Sequence, residues 1–268
     1  MNSQRILIKL GGAALQSKRT LGVVTELIKQ LHSIGHQVIL VHGGGPAINE
    51  ALVNQGLQWT FVDGQRVTTP EMMSIIEKTL CETVNGRVVD HLNLCGLPAQ
   101  GFSGAQRQTL LCQKASEVLG QVGQITAVHT DAVQEILSKG YVPVIAPIGV
   151  DTLGVRYNIN ADWSATHLAA ALKVDELFFL TDMNGILDSQ AQRIPQMSAT
   201  NLESLMTKQI VTGGMLTKTK AVLHALKSGV KTVRILRGDD ADQLLQSRDV
   251  GTVCHLNETL KEVHDATI

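Results

Sequence analysis

Two glycine-rich segments sit where a buried strand would hand over to a turn. Lys9-Leu10-Gly11-Gly12 closes an apolar run that begins at Ile6, and His42-Gly43-Gly44-Gly45-Pro46 follows another that ends at Val41. In an open parallel sheet the ligand crevice lies outside the C-terminal ends of the strands. Adjacent glycines let a phosphate approach backbone N–H groups, and a lysine adds a mobile point charge. Three consecutive glycines are entropically costly unless the backbone must be bare. The helix expected from Pro46 would offer unpaired N–H groups and the positive end of its dipole. Each segment alone is also compatible with a plain strand-ending turn, and His42 is assigned no role.

Four further segments carry chemistry-bearing residues. Arg66, in Gly64-Gln65-Arg66-Val67-Thr68, offers a planar fork that fits a carboxylate, or is an exposed strand arginine. Asn158-Ile159-Asn160-Ala161-Asp162 leads into a helix, with Asn160 a candidate N-cap and Asp162 able to orient lysines. Thr181-Asp182-Met183-Asn184-Gly185-Ile186-Leu187 could border a nucleobase and ribose, or form an Asx turn. Val211-Thr212-Gly213-Gly214-Met215 precedes Lys218, a cation near a helix start that conflicts with the dipole unless an anion lies between them. The common nucleotide fingerprints are missing. No G-x-G-x-x-G follows the first strand, and Thr217 stands before Lys218 where a Walker A loop needs Gly.

The elements that must position these residues alternate in type. Strands are expected at Ile6–Leu10, Val38–Val41, Pro98–Phe102, Val142–Ala146, Glu176–Thr181 and Thr232–Leu236. Helices are expected at Leu21–Ile34, Pro46–Gln55, Pro70–Leu94, Thr130–Lys139, Asp162–Leu172 and Met215–Lys227. Asp63-Gly64 predicts a β-hairpin within Trp59–Thr68, and Ser103–Val128 reads as a small antiparallel addition. The βαβα opening predicts a parallel sheet with right-handed crossovers. Two lobes are expected on one sheet, residues 1–155 and 156–268, meeting near Val150–Asn158. The polar tail after Leu256 is expected to fray.

The 268 residues suffice for a sizeable core, and 44% hydrophobic content argues against disorder. Aromatics at 3% leave the core to aliphatic residues, as in strands buried on both faces. A formal net charge of −1 with so few aromatics gives no nucleic-acid footprint. Cys81, Cys95, Cys112 and Cys254 form no CxxC pair, so no zinc knuckle is expected and reduced core thiols are. No apolar run spans a bilayer and no signal peptide precedes Ile6, which makes a cytoplasmic protein the expectation.

Taken in order, KLGG, VHGGGP, GQRVT, NINAD, TDMNGIL and VTGGM with its lysine resemble the amino acid kinase family, over about Ile6 to Leu256. Within that family the likeness is greatest to the members that act on N-acetyl-L-glutamate in arginine biosynthesis. The resemblance implies an α/β fold, a three-layer αβα sandwich around a mostly parallel central sheet. It also implies an N-terminal substrate lobe that dimerises and a C-terminal lobe that binds ATP. Lys9 and Lys218 would stabilise charge on the transferring phosphoryl group, and Asp162 would orient both. Gly11 and Gly44 would donate N–H groups to phosphate oxygens. Gly44, Gly45, Arg66, Asn158 and Asn160 would hold the acid. Gly11, Gly12, Thr181, Asp182, Asn184, Gly185, Ile186, Leu187, Ile210, Val211 and Thr212 would contact the nucleotide. Mg²⁺ would be held mainly by the phosphates, with no metal ligands assigned to the protein.

Ser103-Gly104-Ala105-Gln106-Arg107-Gln108 departs from the SG-x-DGG-like pattern of relatives and is expected in a peripheral hairpin, with oligomer contacts at stake rather than chemistry. Arginine-inhibited members carry an extra N-terminal helix, whereas few residues precede Ile6 here, so a dimeric, arginine-insensitive form is expected. Other readings are a carrier-linked aminoadipate kinase or another amino acid kinase, or a non-catalytic ligand sensor. A nucleotide-dependent dehydrogenase lacks its glycine fingerprint.

Overall fold

A computed structural model describes residues 3–246 and 249–257. The expected fraying tail lies outside the described residues from 258 onward. In chain order the elements are β1 (Arg5–Leu10), α1 (Lys18–Ser33), β2 (Gln37–His42), α2 (Gly45–Asn54), β3 (Phe61–Val62), β4 (Gln65–Arg66) and α3 (Pro70–Lys78). A π-helical stretch, Thr79–Val84, continues into α4 (Asn85–Leu94). Then come β5 (Ala99–Ser103), β6 (Leu110–Lys114), β7 (Gly123–Val128), α5 (Asp131–Ser138), β8 (Val142–Ala146), β9 (Ile148–Val150), β10 (Arg156–Asn158) and α6 (Ala161–Ala171). The chain continues through β11 (Glu176–Thr181), β12 (Gln196–Ser198), α7 (Ala199–Thr207), α8 (Gly213–Lys227), β13 (Thr232–Arg237), a 3₁₀ segment (Gly238–Leu245) and β14 (Thr252–His255).

An eight-stranded sheet in the order β12-β14-β13-β11-β1-β2-β8-β5 forms the middle layer. Its pairings are parallel except β13 with β14. Side chains alternate between its faces with the strand period. Leu7, Val41, Phe179 and Ile235 face α5, α6, α7 and α8, whereas Ile8, Leu40, Leu180 and Leu236 face α1 and α4. This is the three-layer sandwich that the family resemblance implies. β1 lies at the centre, so Lys9, on the same face as Leu7, is delivered beneath α6 and α8.

Helix starts follow their caps. Ser17 accepts from Thr20 N at 3.1 Å, so α1 begins three residues before the first apolar residue that marks it in the sequence. The single helix expected over Pro70–Leu94 is interrupted by the π-helical stretch, which places Leu80 beside Gly44. Asp63 and Gly64 have φ of 49° and 74°, the two positive values that a tight hairpin turn requires.

Three expectations need correction. The small sheet is four-stranded, β10-β9-β6-β7, and includes a parallel β6–β9 pairing, so the β9–β10 hairpin completes the addition begun at β6. Residues 103–108 link β5 to β6 rather than forming a hairpin, with Arg107 and Gln108 at positive φ and Arg107 paired with Glu135. β12, α7 and β14 were not anticipated, because their short segments lack a sustained period.

Candidate active site

Three charged side chains meet above the C-terminal end of β1. Lys9 Nζ lies 2.7 Å from Asp162 Oδ1, and Lys218 Nζ donates to Asp162 Oδ2 at 2.8 Å. The local fold dictates the meeting. Asn160 caps α6 through Oδ1, which accepts from Asp162 N at 2.9 Å and so fixes Asp162 in the first turn. α8 packs against α6 and carries Lys218 over the Phe179 ring, 5.3 Å from its centroid. All three side chains are about nine-tenths buried. Burial would raise the Asp162 carboxyl, but the two ammonium groups outweigh it and hold the carboxyl well below the usual range. Lys218 is pushed down, first by burial and then by Lys9, with Asp162 opposing both.

Two cavities adjoin this triad and share Gly64, Asn160 and Asp162. The first, of about 360 Å³, is lined by Lys9, Gly12, Gly44, Gly45, Arg66, Asn158, Asn160 and Asp162 among others. Arg66 stands at its wall between Trp59 and Phe61, with its guanidinium carbon 4.9 Å from each ring centroid. One guanidinium nitrogen donates to Asn49 Oδ1 at 2.5 Å. The other terminal nitrogen is buried with no hydrogen-bond partner among the described residues. Burial lowers this arginine to about 10, which leaves it charged at neutral pH. Asn158 reaches Thr68 Oγ1 at 3.1 Å.

The second cavity, of about 550 Å³, is lined by Lys218 and by Thr181, Asp182, Gly185, Leu187, Ile210, Val211 and Thr212. Thr217 Oγ1 lies 3.4 Å from Asp63 O, so the β3–β4 hairpin touches α8 where the cavities adjoin.

Most residues singled out in the sequence therefore line one or other of these two adjoining cavities. Ile186 does not. It is fully buried and its N–H donates to Thr252 Oγ1 at 2.8 Å. Asn184 also lies outside the cavity lining. Gly11 N–H is already spent on Leu180 O at 3.0 Å, so it is not free for a phosphate. Gly12 belongs to the first cavity rather than the second. Its bareness has a packing cause: an added Cβ would lie 2.7 Å from Pro46 Cδ and 2.9 Å from Gly45 N. The two glycine loops touch each other. Asn49, Trp59, Phe61 and Leu80 were missed in the sequence. Asn49 follows Gly45 by one helical turn, the one cue that could have placed it on the cavity side of α2.

The amino acid kinase family profile matches residues 4–237. An acetylglutamate kinase from Trichlorobacter lovleyi is 39% identical over 249 residues, spanning 88% of this chain and 85% of the relative. One from Brevibacillus brevis is 37% identical over 259 residues, spanning 94% and 97%. A crystal structure of a Streptococcus mutans UA159 protein superposes with a TM-score of 0.84 at 27% identity, covering 94% of this chain and 99% of that one. With the family profile spanning most of its length and relatives at 37–39% identity, the chain belongs to the amino acid kinase family.

Proposed function

We propose that the chain transfers the γ-phosphoryl group of ATP to the γ-carboxylate of N-acetyl-L-glutamate, giving N-acetyl-L-glutamyl 5-phosphate for arginine biosynthesis. The observation that carries this reading is the bridge from Lys9 through Asp162 to Lys218, with one ammonium on each cavity. The acceptor carboxylate is already ionised at neutral pH, so no strong base is needed. Alignment and compensation of charge are needed. Lys9 serves the acid side and Lys218 the nucleotide side, while Asp162 holds both in place.

The first cavity suits the acid. Its charged lining is Lys9, Arg66 and Asp162, two cations to one anion, and the unpartnered Arg66 nitrogen can take a carboxylate oxygen. Gly44 and Gly45 supply N–H groups, and Asn158 and Asn160 supply amides. The second cavity suits ATP, with Thr181, Asp182, Gly185, Leu187, Ile210, Val211 and Thr212 around it. Residues 1–155 then form the acid-binding lobe and 156–268 the nucleotide lobe. Among the described residues no group of three or more His, Cys, Asp or Glu side chains converges as a metal site. In this reading Mg²⁺ is held chiefly by phosphate oxygens, where it would neutralise part of their charge. A homodimer through the N-terminal lobe completes the reading. No helix among the described residues is long and apolar enough to cross a membrane.

The test is hydroxylamine trapping of the acyl phosphate with ATP and a panel of N-acyl and free amino acids. N-acetyl-L-glutamate should give hydroxamate fastest. Faster turnover of a free amino acid would reassign the acceptor, and no hydroxamate from any acid would overturn the reading.

A further inference from the structure

The loop His42-Gly43-Gly44-Gly45 is fastened peptide by peptide. Gly43 N–H donates to Leu10 O at 2.8 Å, and Gly44 O accepts from Ile48 N at 2.9 Å as α2 begins. Between them, the Gly43 carbonyl is held by a side chain, His42 Nδ1, at 2.9 Å. Gly44 N–H has no backbone acceptor among the described residues, and Gly45 N–H is a first-turn donor of α2.

His42 is itself fixed. It follows Leu40 on the sheet face covered by α1 and α4, opposite the face that carries Lys9, and it is fully buried. Asn85, at the start of α4, directs its amide nitrogen to His42 Nε2 at 3.0 Å and to Val144 O at 3.0 Å. An amide nitrogen only donates, so Nε2 must be the bare nitrogen and the proton must sit on Nδ1. Nδ1–H therefore donates to Gly43 O. Burial also lowers His42 to about 4, which keeps the ring neutral in this one tautomer at working pH.

We infer that His42, locked by Asn85, is a positioning residue that sets the Gly43–Gly44 peptide so that Gly44 N–H points into the first cavity, toward the moving phosphoryl group. Carbonyl and N–H of one trans peptide point in opposite directions. A Gly43 carbonyl turned inward to the imidazole thus turns the Gly44 N–H outward. Without that anchor, glycines on both sides leave the peptide free to rotate. The inference rests on the kinase reading above and gives the Gly44 N–H, which lies on the acid side there, the further task of stabilising charge that develops in transfer.

Two variants separate positioning from packing. In His42→Asn an amide nitrogen replaces Nδ1 and can still donate to Gly43 O. In His42→Gln the amide stands where Nε2 was, and the Gly43 carbonyl loses its donor. Hydroxamate turnover should stay within about tenfold of wild type for Asn and fall about 100-fold for Gln, the loss typical of one oxyanion-type donor. KM for ATP should not change in either, because the interaction acts in the transition state. Equal turnover in the two variants, or losses that track their Tm values, would overturn the inference. Should either variant fail to fold, ¹⁵N NMR of the wild-type imidazole decides: a protonated Nδ1 with a bare Nε2 is required, and the reverse tautomer refutes it. Wild-type enzyme that makes no hydroxamate would instead refute the kinase reading.

Discussion

Asp162→Asn removes one negative charge and almost no volume, which isolates the electrostatic role of the bridge. In the parent, one carboxylate serves two ammonium groups at 2.7 and 2.8 Å, and all three side chains are about 90% buried. Removing one partner of a buried ion pair costs about 3–5 kcal/mol, because the remaining charge is left uncompensated. At about 2–4 °C of Tm per kcal/mol for a chain of this size, the apo variant should melt roughly 6–20 °C below the parent. ATP should recover much of that deficit, since its phosphates return an anion to the same ammonium groups. The rise in Tm with ATP should therefore be larger in the variant. The deficit should also narrow as pH rises. Lys218 is already pushed down, and a native state that sheds this proton before the unfolded chain does gains stability with pH. Thermal unfolding across pH with and without ATP measures all of this. An apo variant that melts within 2 °C of the parent, or equal ATP shifts in both proteins, would show that Asp162 does not compensate these lysines.

Lys9→Ala and Lys218→Ala should each lower hydroxamate turnover by about 100-fold or more while far-UV circular dichroism is unchanged; full activity in either would remove that lysine from the mechanism. Arg66→Lys keeps the charge but loses the fork and the stacking between Trp59 and Phe61, so KM for the acid should rise about 10- to 100-fold. KM for ATP should not, and equal losses for both ligands would refute the assignment of Arg66 to the acid. Acid should weaken the fold in a defined window. His42 and the half-buried His167 are both lowered to about 4 by burial, so the unfolded chain takes up protons first as pH falls. Stability is complete above about 6.5 and declines between about 6.5 and about 4, with His42 alone worth about 3 kcal/mol. Urea titrations at pH 7.5 and 5 would measure it, and His42→Asn should flatten the slope.

The sheet was legible because its strands are buried on both faces and read as uninterrupted apolar runs. The candidate site was legible because most of its segments follow such a run or open a helix, the Arg66 hairpin excepted. Asp162 could be placed on the first turn of α6 because Asn160 is a good cap, and the structure seats it there. Distances between segments far apart in sequence were not legible, so the Trp59 and Phe61 sandwich on Arg66 was missed although all three residues lie within one hairpin region. Ile186 shows a second limit. Its segment borders a cavity, but a single residue inside such a loop can turn inward, and Ile186 belongs to the core through Thr252 on a strand that the pattern did not reveal.

The glycines show the deepest limit, because absence of a side chain has more than one use. Gly11, Gly12 and Gly44 were all read as bare backbone for phosphates. Gly11 spends its N–H on β11. Gly12 is bare because the next loop lies against it, and a Cβ on Gly44 would fall 2.4 Å from Leu80 Cδ2. Close packing of loop on loop and close approach of a ligand both forbid a Cβ, so the letter G cannot separate them. What separates them is where each N–H goes, and that is settled by neighbours such as Leu180 and His42 whose partnership no local pattern records. Lys9 and Lys218 are easier to read because a buried ammonium has few alternatives to an anionic partner. The two share one carboxylate between two cavities, and in the proposed reaction the arriving phosphate is the charge that completes the balance.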